Sequence, residues 1–203
     1  WGWSIFAYYN RARTHVVTAR WIDNRVDVQP FLPMRFTYEL WDVDGSQPVW
    51  TAVGGGGSSV PAWDSPGNHL LVAYPPYREV VEFGTRGCSE LHVVSTQAED
   101  RMLDECTWQG GFSWSPNGSL VAAWEGWRFS GWDTDTTFRE ARLRVFDLAD
   151  NSVAEYLFRF AVDTIIERTQ PPIWSPDARS LAFSEMDEEN GRVRSWVLDL
   201  ETG

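Results

Sequence analysis

Residues 111–124 read GFSWSPNGSLVAAW, and similar phrases occur as PAWDSPGNHLLVAY at 61–74 and PIWSPDARSLAFSE at 172–185. Each phrase is anchored by a tryptophan, and these anchors are 51 and then 60 residues apart. The three anchors are Trp63, Trp114 and Trp174. A phrase that returns at such a spacing is typical of repeat architectures. The chain is therefore expected to consist of repeated units of similar design.

The repeated phrase predicts a β-hairpin. Proline presets φ for a turn, asparagine or aspartate bonds its own backbone, and glycine accepts a positive φ. The third copy has Ala178 where glycine would be easier, and the copy at 61–74 is read as carrying one extra residue. Its turn is therefore expected to differ from the others. The strand after each turn is apolar on both faces, which indicates burial between two packed sheets.

A second phrase alternates apolar and polar residues and then ends in a polar turn. It occurs at residues 38–45, 91–96, 143–150 and 195–203. Further strands are predicted at 48–53, 101–107 and 153–160, with no helical periodicity between them. Each unit is thus expected to be a four-stranded antiparallel sheet. Such sheets bury their faces by stacking radially, which predicts an all-β fold, a β-propeller of four-stranded antiparallel blades.

The whole chain, residues 1–203, is expected to be a single propeller domain or a fragment of one. About four blades are present, at residues 1–53, 54–107, 108–165 and 166–203, the last without its outer strand. Both ends of the sequence look cut. Four blades can close by themselves, but a fragment of a larger ring is the favoured interpretation.

Residues 1–53 allow two interpretations. In the favoured one, strands at 3–9 and 15–21 are the two inner strands of a complete blade. In the other, residues 4–8 are the second strand of a truncated blade, and residues 14–21 belong to a long insertion.

The phrases at 114–122 and 174–183 resemble the repeats of the TolB-type, WD40-like (PD40) β-propeller family. The VFDL and VLDL phrases at 145–148 and 197–200 fit the third strand of that repeat. The resemblance covers about two-thirds of the chain. The WD dipeptide and Gly-His signature of WD40 repeats are missing, and the first unit is irregular. The resemblance implies a propeller fold, which occurs in scaffolds, in receptors and in the gating domains of peptidases.

Long loops between the second and third strands are expected on the face opposite the short turns. They cover residues 75–87, 125–141 and 186–192, and residues 10–35 if the first blade is truncated. Loops on a rigid scaffold commonly carry function, and exposed Trp, Tyr and Arg are enriched in interface hot spots. The predicted partner-binding residues on this face are Tyr77, Trp127, Phe129, Trp132, Arg11 and Arg13. The alternative is that the aromatic residues cap the blade ends as local core.

Composition excludes several classes of partner. The net charge is −12, from 29 acidic and 17 basic residues, and it opposes non-specific attraction to nucleic acid or anionic lipid. A hydrophobic content of 43% is not that of a disordered chain. No apolar run approaches the roughly 20 residues of a membrane span.

Cys88 and Cys106 lie near the outer ends of two predicted hairpin strands, 89–95 and 101–107, and these ends come close together. A disulfide is therefore plausible. It would close a loop of about 18 residues and contribute ~3 kcal/mol. The alternative is two unrelated buried thiols. The bridge, if formed, implies an oxidising compartment.

No catalytic, metal or cofactor motif is found. A Gly-x-Ser-x-Gly nucleophile motif is missing, and the glycine run at 54–57 lacks the Gly-Lys-Ser/Thr ending of a phosphate loop. The histidines are far apart in the sequence, with His15 in the first unit and His69 and His92 in the second. The expected function is a non-enzymatic, extracytoplasmic scaffold that binds another protein in a larger assembly. The alternatives are the gating propeller of a larger prolyl-oligopeptidase-like peptidase and a carbohydrate-binding propeller.

Overall fold

A computed structural model of the chain describes residues 5–22, 35–55, 60–74, 89–125, 138–161, 164–166, 171–187 and 192–202. These ranges contain fifteen β-strands and no helix. In these ranges there is accordingly no helix long and apolar enough to cross a membrane.

The first sheet is a plain antiparallel meander in the order β1-β2-β3-β4. Its strands are β1 (Ile5–Tyr9), β2 (His15–Ile22), β3 (Arg35–Asp42) and β4 (Pro48–Gly55). β2 pairs with β1 on one side and with β3 on the other. This is the arrangement described by the first interpretation of residues 1–53, in which a complete blade begins near the start of the chain.

The second sheet has seven strands in the order β11-β10-β9-β8-β7-β6-β5. Its strands are β5 (Ala62–Trp63), β6 (His69–Tyr74), β7 (Ser89–Ser95), β8 (Asp100–Trp114), β9 (Leu120–Glu125), β10 (Phe138–Asp147) and β11 (Val153–Ala161). The first part of β8 pairs with β7 and its last part with β9, with a register shift between Thr107 and Phe112. The predicted boundary between residues 107 and 108 therefore falls inside one long strand.

The last sheet is built around β14. Its strands are β12 (Thr164–Ile166), β13 (Ile173–Trp174), β14 (Ser180–Asp187) and β15 (Val193–Asp199). β12 and β13 pair with different parts of β14, and β15 pairs along its other side. The predicted boundary between residues 165 and 166 falls inside β12.

The stacking of these sheets follows from strands that are apolar on both faces. On β6, Leu70 and Val72 pack in a core with β2 and β3 of the first sheet, while Leu71 packs with β8 and β9. On β9, Ala123 faces the β6 side, whereas Trp124 packs against the last sheet. The predicted burial of these strands between packed sheets is therefore confirmed. The described residues form an all-β fold of the propeller type.

The turn after each anchor residue has the same backbone hydrogen bonds in four places. The amide next to the anchor donates to the carbonyl five residues later, at 2.9–3.0 Å, from Asn10 to His15, Asp64 to His69, Ser115 to Leu120 and Ser175 to Ser180. The fourth residue after the anchor has a positive φ in every copy: Arg13, Gly67, Gly118 and Ala178.

The expectation of an extra residue in the copy at 61–74 is wrong. Its proline stands one position later than in the other copies, but five residues lie between Trp63 and His69 just as five lie between Trp114 and Leu120. The repeated turn at 9–15, with Tyr9 as its anchor, was not predicted. It contains neither proline nor glycine. The turn is instead held by Asn10 Oδ1, which accepts hydrogen bonds from the amides of Thr14 and His15.

Three tryptophans tie consecutive units together. The indole N–H of Trp63 donates to the carbonyl of Tyr8 at 3.0 Å, and that of Trp114 donates to Ala62 at 2.9 Å. Trp174 donates in the same way to Ser113 at 3.3 Å. In each case the acceptor directly precedes the anchor of the previous turn.

Candidate functional site

The end of the sheets that carries the repeated turns, here named the turn end, is cross-tied in every unit. It comprises the turns at 10–14, 64–68, 115–119 and 175–179 and the neighbouring hairpin turns. An amide of each hairpin turn donates to a carbonyl of the repeated turn, as Val43 to Thr14, Thr96 to Asn68, Leu148 to Ser119 and Leu200 to Arg179. The turn end is therefore a set of paired turns with defined backbone geometry.

Acidic side chains at the turn end are used for turn structure. Asp42, Asp147 and Asp199 each end a third strand and accept a backbone amide two residues later. The amides of Glu201 and Thr202 lower the pKa of Asp199. A hydrogen bond from Ser175 likewise lowers the pKa of Asp177. Asp177 and Asp199 therefore stay ionised while they cap their turns.

Arg11 and Arg13 are exposed and lie at the turn end, in the 10–14 turn between β1 and β2. They were expected on the long-loop face, and this placement is wrong. Strands β2 and β3 are paired as far as Ile22 and Arg35, which is the opposite end of the sheet. The reason is that residues 9–15 form a repeated turn rather than part of an insertion.

The other predicted partner-binding residues, Tyr77, Trp127, Phe129 and Trp132, lie outside the described residues. Cys88 does so as well. Cys106 is buried near the middle of β8, and its amide donates to Asp104 Oδ1 at 3.1 Å. Thr107 next to it is opposite Ser89, the residue that follows Cys88 in the chain. The disulfide stays a prediction.

A cluster of titratable side chains lies where the first sheet meets β6, β7 and β8. His92 Nδ1 is 2.7 Å from Asp100 Oδ1, and its Nε2 is 3.4 Å from Glu90 Oε2. The ring of Tyr74 stacks on His92 with centroids 4.8 Å apart. Trp50 of β4 donates its indole N–H to Asp100 Oδ2 at 2.9 Å. We call this group the His92 cluster.

Opposing effects set the charge states in the His92 cluster. Burial by itself would lower the pKa of His92, but the hydrogen bond and charge of Asp100, followed by Glu90, raise it. Burial would raise the pKa of Asp100, yet the hydrogen bonds from His92 and Trp50 lower it. Burial and the two carboxylates raise the pKa of Tyr74, so its phenol stays protonated.

A second cluster joins β8 to the sheet strands β9–β11. Arg144 reaches three carboxylates: Nη1 to Asp104 Oδ1 at 2.7 Å, Nη2 to Glu125 Oε1 at 3.3 Å and Nε to Glu155 Oε1 at 3.0 Å. Asp104 is buried and also accepts from the Thr107 hydroxyl at 2.9 Å. Arg144 is thus held at a seam between units by several charge-assisted bonds.

In both clusters the ionised groups bind one another within the second sheet. The indole of Trp50 links the first cluster to the first sheet, and Arg144 links β8 to β9, β10 and β11. The other two histidines sit elsewhere, His69 against Asp64 and His15 against the Thr14 hydroxyl. The described residues contain no group of three or more His, Cys, Asp or Glu side chains placed to hold a metal ion. Among them, one buried side-chain polar atom lacks a hydrogen-bond partner, the Ser89 hydroxyl.

Neither cluster was predicted. A local signal existed for the first: Glu90 and His92 are two residues apart on a strand and therefore share a face. Their partners Trp50 and Asp100 come from other strands. The spacing of residues in the sequence does not show that such strands pack together.

Comparison with known proteins supports the fold. No known family profile and no curated protein sequence matches the chain. Among solved structures, the dipeptidyl peptidase 4 of Porphyromonas gingivalis matches with a TM-score of 0.61 and 11% identity. The match covers 97% of this chain and 31% of that one.

Two further structures give weaker matches. The acylaminoacyl peptidase of Pyrococcus horikoshii matches with a TM-score of 0.51 and 11% identity, over 97% of this chain and 32% of that one. A protein described as TolB from Agrobacterium tumefaciens has a TM-score of 0.46 and 13% identity, over 97% and 58% of the two chains. The present chain therefore spans less than two-thirds of each of these proteins. At such identities the likeness supports a propeller-type fold, and the resemblance to the PD40 family goes no further than the fold.

Proposed function

We propose that the chain is a propeller-type module that binds another protein within a larger assembly and acts as a scaffold, without an enzymatic role of its own. The observation that carries the proposal is the rigid, repeated cross-tying of the sheets. Indole bonds join consecutive units, and paired turns close one end of each unit. A rigid framework of this kind presents its connecting segments at low entropic cost to a partner.

The segments proposed to contact the partner are 75–88 and 126–137, which contain Tyr77, Trp127, Phe129 and Trp132. Both begin and end at paired strands: Tyr74 is opposite Glu90, and Trp124 is opposite Leu143. Aromatic residues of this type supply large contact areas in protein interfaces. The proposed setting is extracytoplasmic, and that part rests on the predicted Cys88–Cys106 bridge.

Co-purification tests the proposal. The tagged chain is produced in its source cells as wild type, as W127A/W132A and as the turn-end control R11A/R13A. We expect one protein to be enriched with wild type and control and lost with W127A/W132A. Equal recovery with all three would contradict the proposed loop surface. No enrichment over an unrelated tagged protein would contradict the binding function.

A second candidate function is favoured by one observation. The two compared structures with TM-scores above 0.5 are both peptidases, and the chain matches 31% and 32% of their lengths. We therefore also propose, as the alternative, that the chain is the gating propeller of a larger peptidase. Sequencing the encoding gene beyond residue 203 tests this: a following Gly-x-Ser-x-Gly domain would support the peptidase and contradict the non-enzymatic scaffold.

A further inference from the structure

The seam between the first sheet and strands β6–β8 contains a continuous polar connection. It runs from the indole of Trp50 to Asp100, from Asp100 to His92, and from His92 to Glu90. Trp50 belongs to β4 and the three titratable groups belong to β7 and β8. The His92 side chain is 11% exposed, and those of Glu90 and Asp100 are each 32% exposed. The His92 end of the connection is therefore shielded, whereas the Trp50–Asp100 end is exposed and reachable by solvent protons.

Only a protonated His92 can satisfy both of its carboxylate partners. An imidazolium donates from both ring nitrogens, whereas a neutral imidazole donates from one and directs a lone pair from the other. After deprotonation, one carboxylate would face that lone pair, and the local charge would fall from −1 to −2. A pair of like charges beside an unpaired acceptor in a partly buried site is unfavourable.

The other groups that pack around His92 do not supply the positive charge that its deprotonation would remove. Tyr74 of β6 stacks on His92 and stays protonated, and Tyr38 of β3 lies against Tyr74 with ring centroids 6.1 Å apart. Arg101, next to Asp100, hydrogen-bonds Asn151 instead. His92 is thus the positive group that the described structure places between the two carboxylates.

We propose that this seam is a pH-sensitive latch: protonated His92 holds Asp100 in place for Trp50, and deprotonation of His92 loosens the first sheet from the strands beside it. The core between the second sheet and the last sheet contains none of the titratable groups of the His92 cluster, so that seam stays closed. Within the second sheet, β8 stays joined to β9, β10 and β11 because Arg144 keeps its charge over the same pH range.

The direction of the pH effect follows from the two shifted groups. The pKa of His92 is raised above 6.5, so its stabilising contribution is complete below that pH and is lost as the pH rises through the folded-state value. The pKa of Asp100 is lowered below 3.8, so its contribution is present above that pH and is lost on stronger acidification. The latch is therefore closed in the window between the two pKa values and opens on the alkaline side.

Hydrogen exchange on the whole 203-residue chain tests the latch. Peptides from residues 35–55 report on the first sheet, and peptides from residues 138–158 serve as the internal reference. After correction for the intrinsic pH dependence, we expect exchange in residues 35–55 to be about tenfold faster at pH 9 than at pH 6, with the reference unchanged. The H92Q variant should exchange fast at both pH values, and W50F should show a smaller pH effect.

Equal acceleration in both groups of peptides, or the same pH ratio in wild type and H92Q, would overturn the proposal. Proton NMR titration of the wild type provides a second test that needs no stable variant. The chain has three histidines, and one of them should titrate clearly above pH 6.5. Titration of all three at or below pH 6.5 would also overturn it.

Discussion

The indole N–H of Trp114 donates to the backbone carbonyl of Ala62 at 2.9 Å, across the seam between two consecutive units. Ala62 is the neighbour of Trp63, whose own indole donates to Tyr8 in the unit before. The repeated tryptophan is therefore both a core side chain and a polar tie. The tryptophan recurs in the repeat because an inner-strand carbonyl needs a hydrogen-bond donor where two sheets meet.

The first prediction concerns these ties. W114F removes the N–H and part of the ring, and leaves the Ala62 carbonyl without its donor. We expect a loss of about 1–3 kcal/mol in the free energy of unfolding, measured with urea. The matched control is W196F on β15, where the side chain is 44% exposed, and it should cost less than about 0.5 kcal/mol. Equal losses in the two variants would show that the tie adds nothing.

The second prediction concerns the positive-φ position of the repeated turn. A Cβ at Gly67 would lie 3.3 Å from the Arg11 amide nitrogen and from Asn10 Cβ, whereas one at Gly118 would meet Pro66 Cδ at 3.4 Å. G118A should therefore cost about 1 kcal/mol from its backbone conformation alone, and G67A should cost more.

The reverse change, A178G, should stabilise the protein by about 0.5 kcal/mol, since relief of a left-handed alanine exceeds the entropy that glycine loses. Urea unfolding measures the change in the free energy of unfolding for each of the three variants. Destabilisation by A178G, or G118A costing more than G67A, would contradict the shared geometry of the turns.

The sequence was informative where a turn is specified by its own residues. The Ser-Pro-Asn-Gly phrase at 115–118 encodes its turn locally, so three copies were predicted. The copy at 9–15 was missed because the turn there depends on Asn10, whose side-chain oxygen performs the role that the hydroxyl of Ser115 has elsewhere. Different residue types can supply the side-chain acceptor that the turn's backbone amides require. A comparison of residue identities between repeats does not reveal this.

The third prediction concerns Arg144. In R144Q the buried carboxylate of Asp104 loses its charged partner, so we expect a loss of about 3 kcal/mol in the free energy of unfolding. The matched control is R142Q on the same strand, where the guanidinium is 3.7 and 3.9 Å from its carboxylates and more exposed. That variant should lose less than about 1 kcal/mol. Similar losses for both would refute the special role of the buried pair.

The fourth prediction concerns the cysteines. Thiol titration of the native and the denatured chain should find no free thiol, because Cys88 and Cys106 are predicted to be bridged. Reduction should then lower the free energy of unfolding by ~3 kcal/mol. Two titratable thiols in the denatured, unreduced chain would contradict the bridge and remove the support for an extracytoplasmic setting.

The candidate site was less accessible to sequence reasoning than the fold. Trp50 and Asp100 lie 50 residues apart, and Asp104 and Arg144 lie 40 apart. The first contact forms because the packing of the first sheet on the second brings β4 close to β8. The second forms because β8 continues into the sheet of β9 and β10. The placement of Arg11 and Arg13 was wrong for a related reason, since it depended on how residues 9–15 fold. The partner-binding role of the aromatic residues in segments 75–88 and 126–137 remains a prediction.

The central claim is that the chain binds another protein through these segments. Once co-purification has identified the partner, its Kd can be measured for wild type, W127A/W132A and R11A/R13A by surface plasmon resonance. The account predicts a Kd raised at least about 30-fold by W127A/W132A, the effect of losing a hot spot, and changed less than about threefold by R11A/R13A. An unchanged Kd for W127A/W132A, with the loss appearing in R11A/R13A instead, would contradict it and place the interface at the turn end.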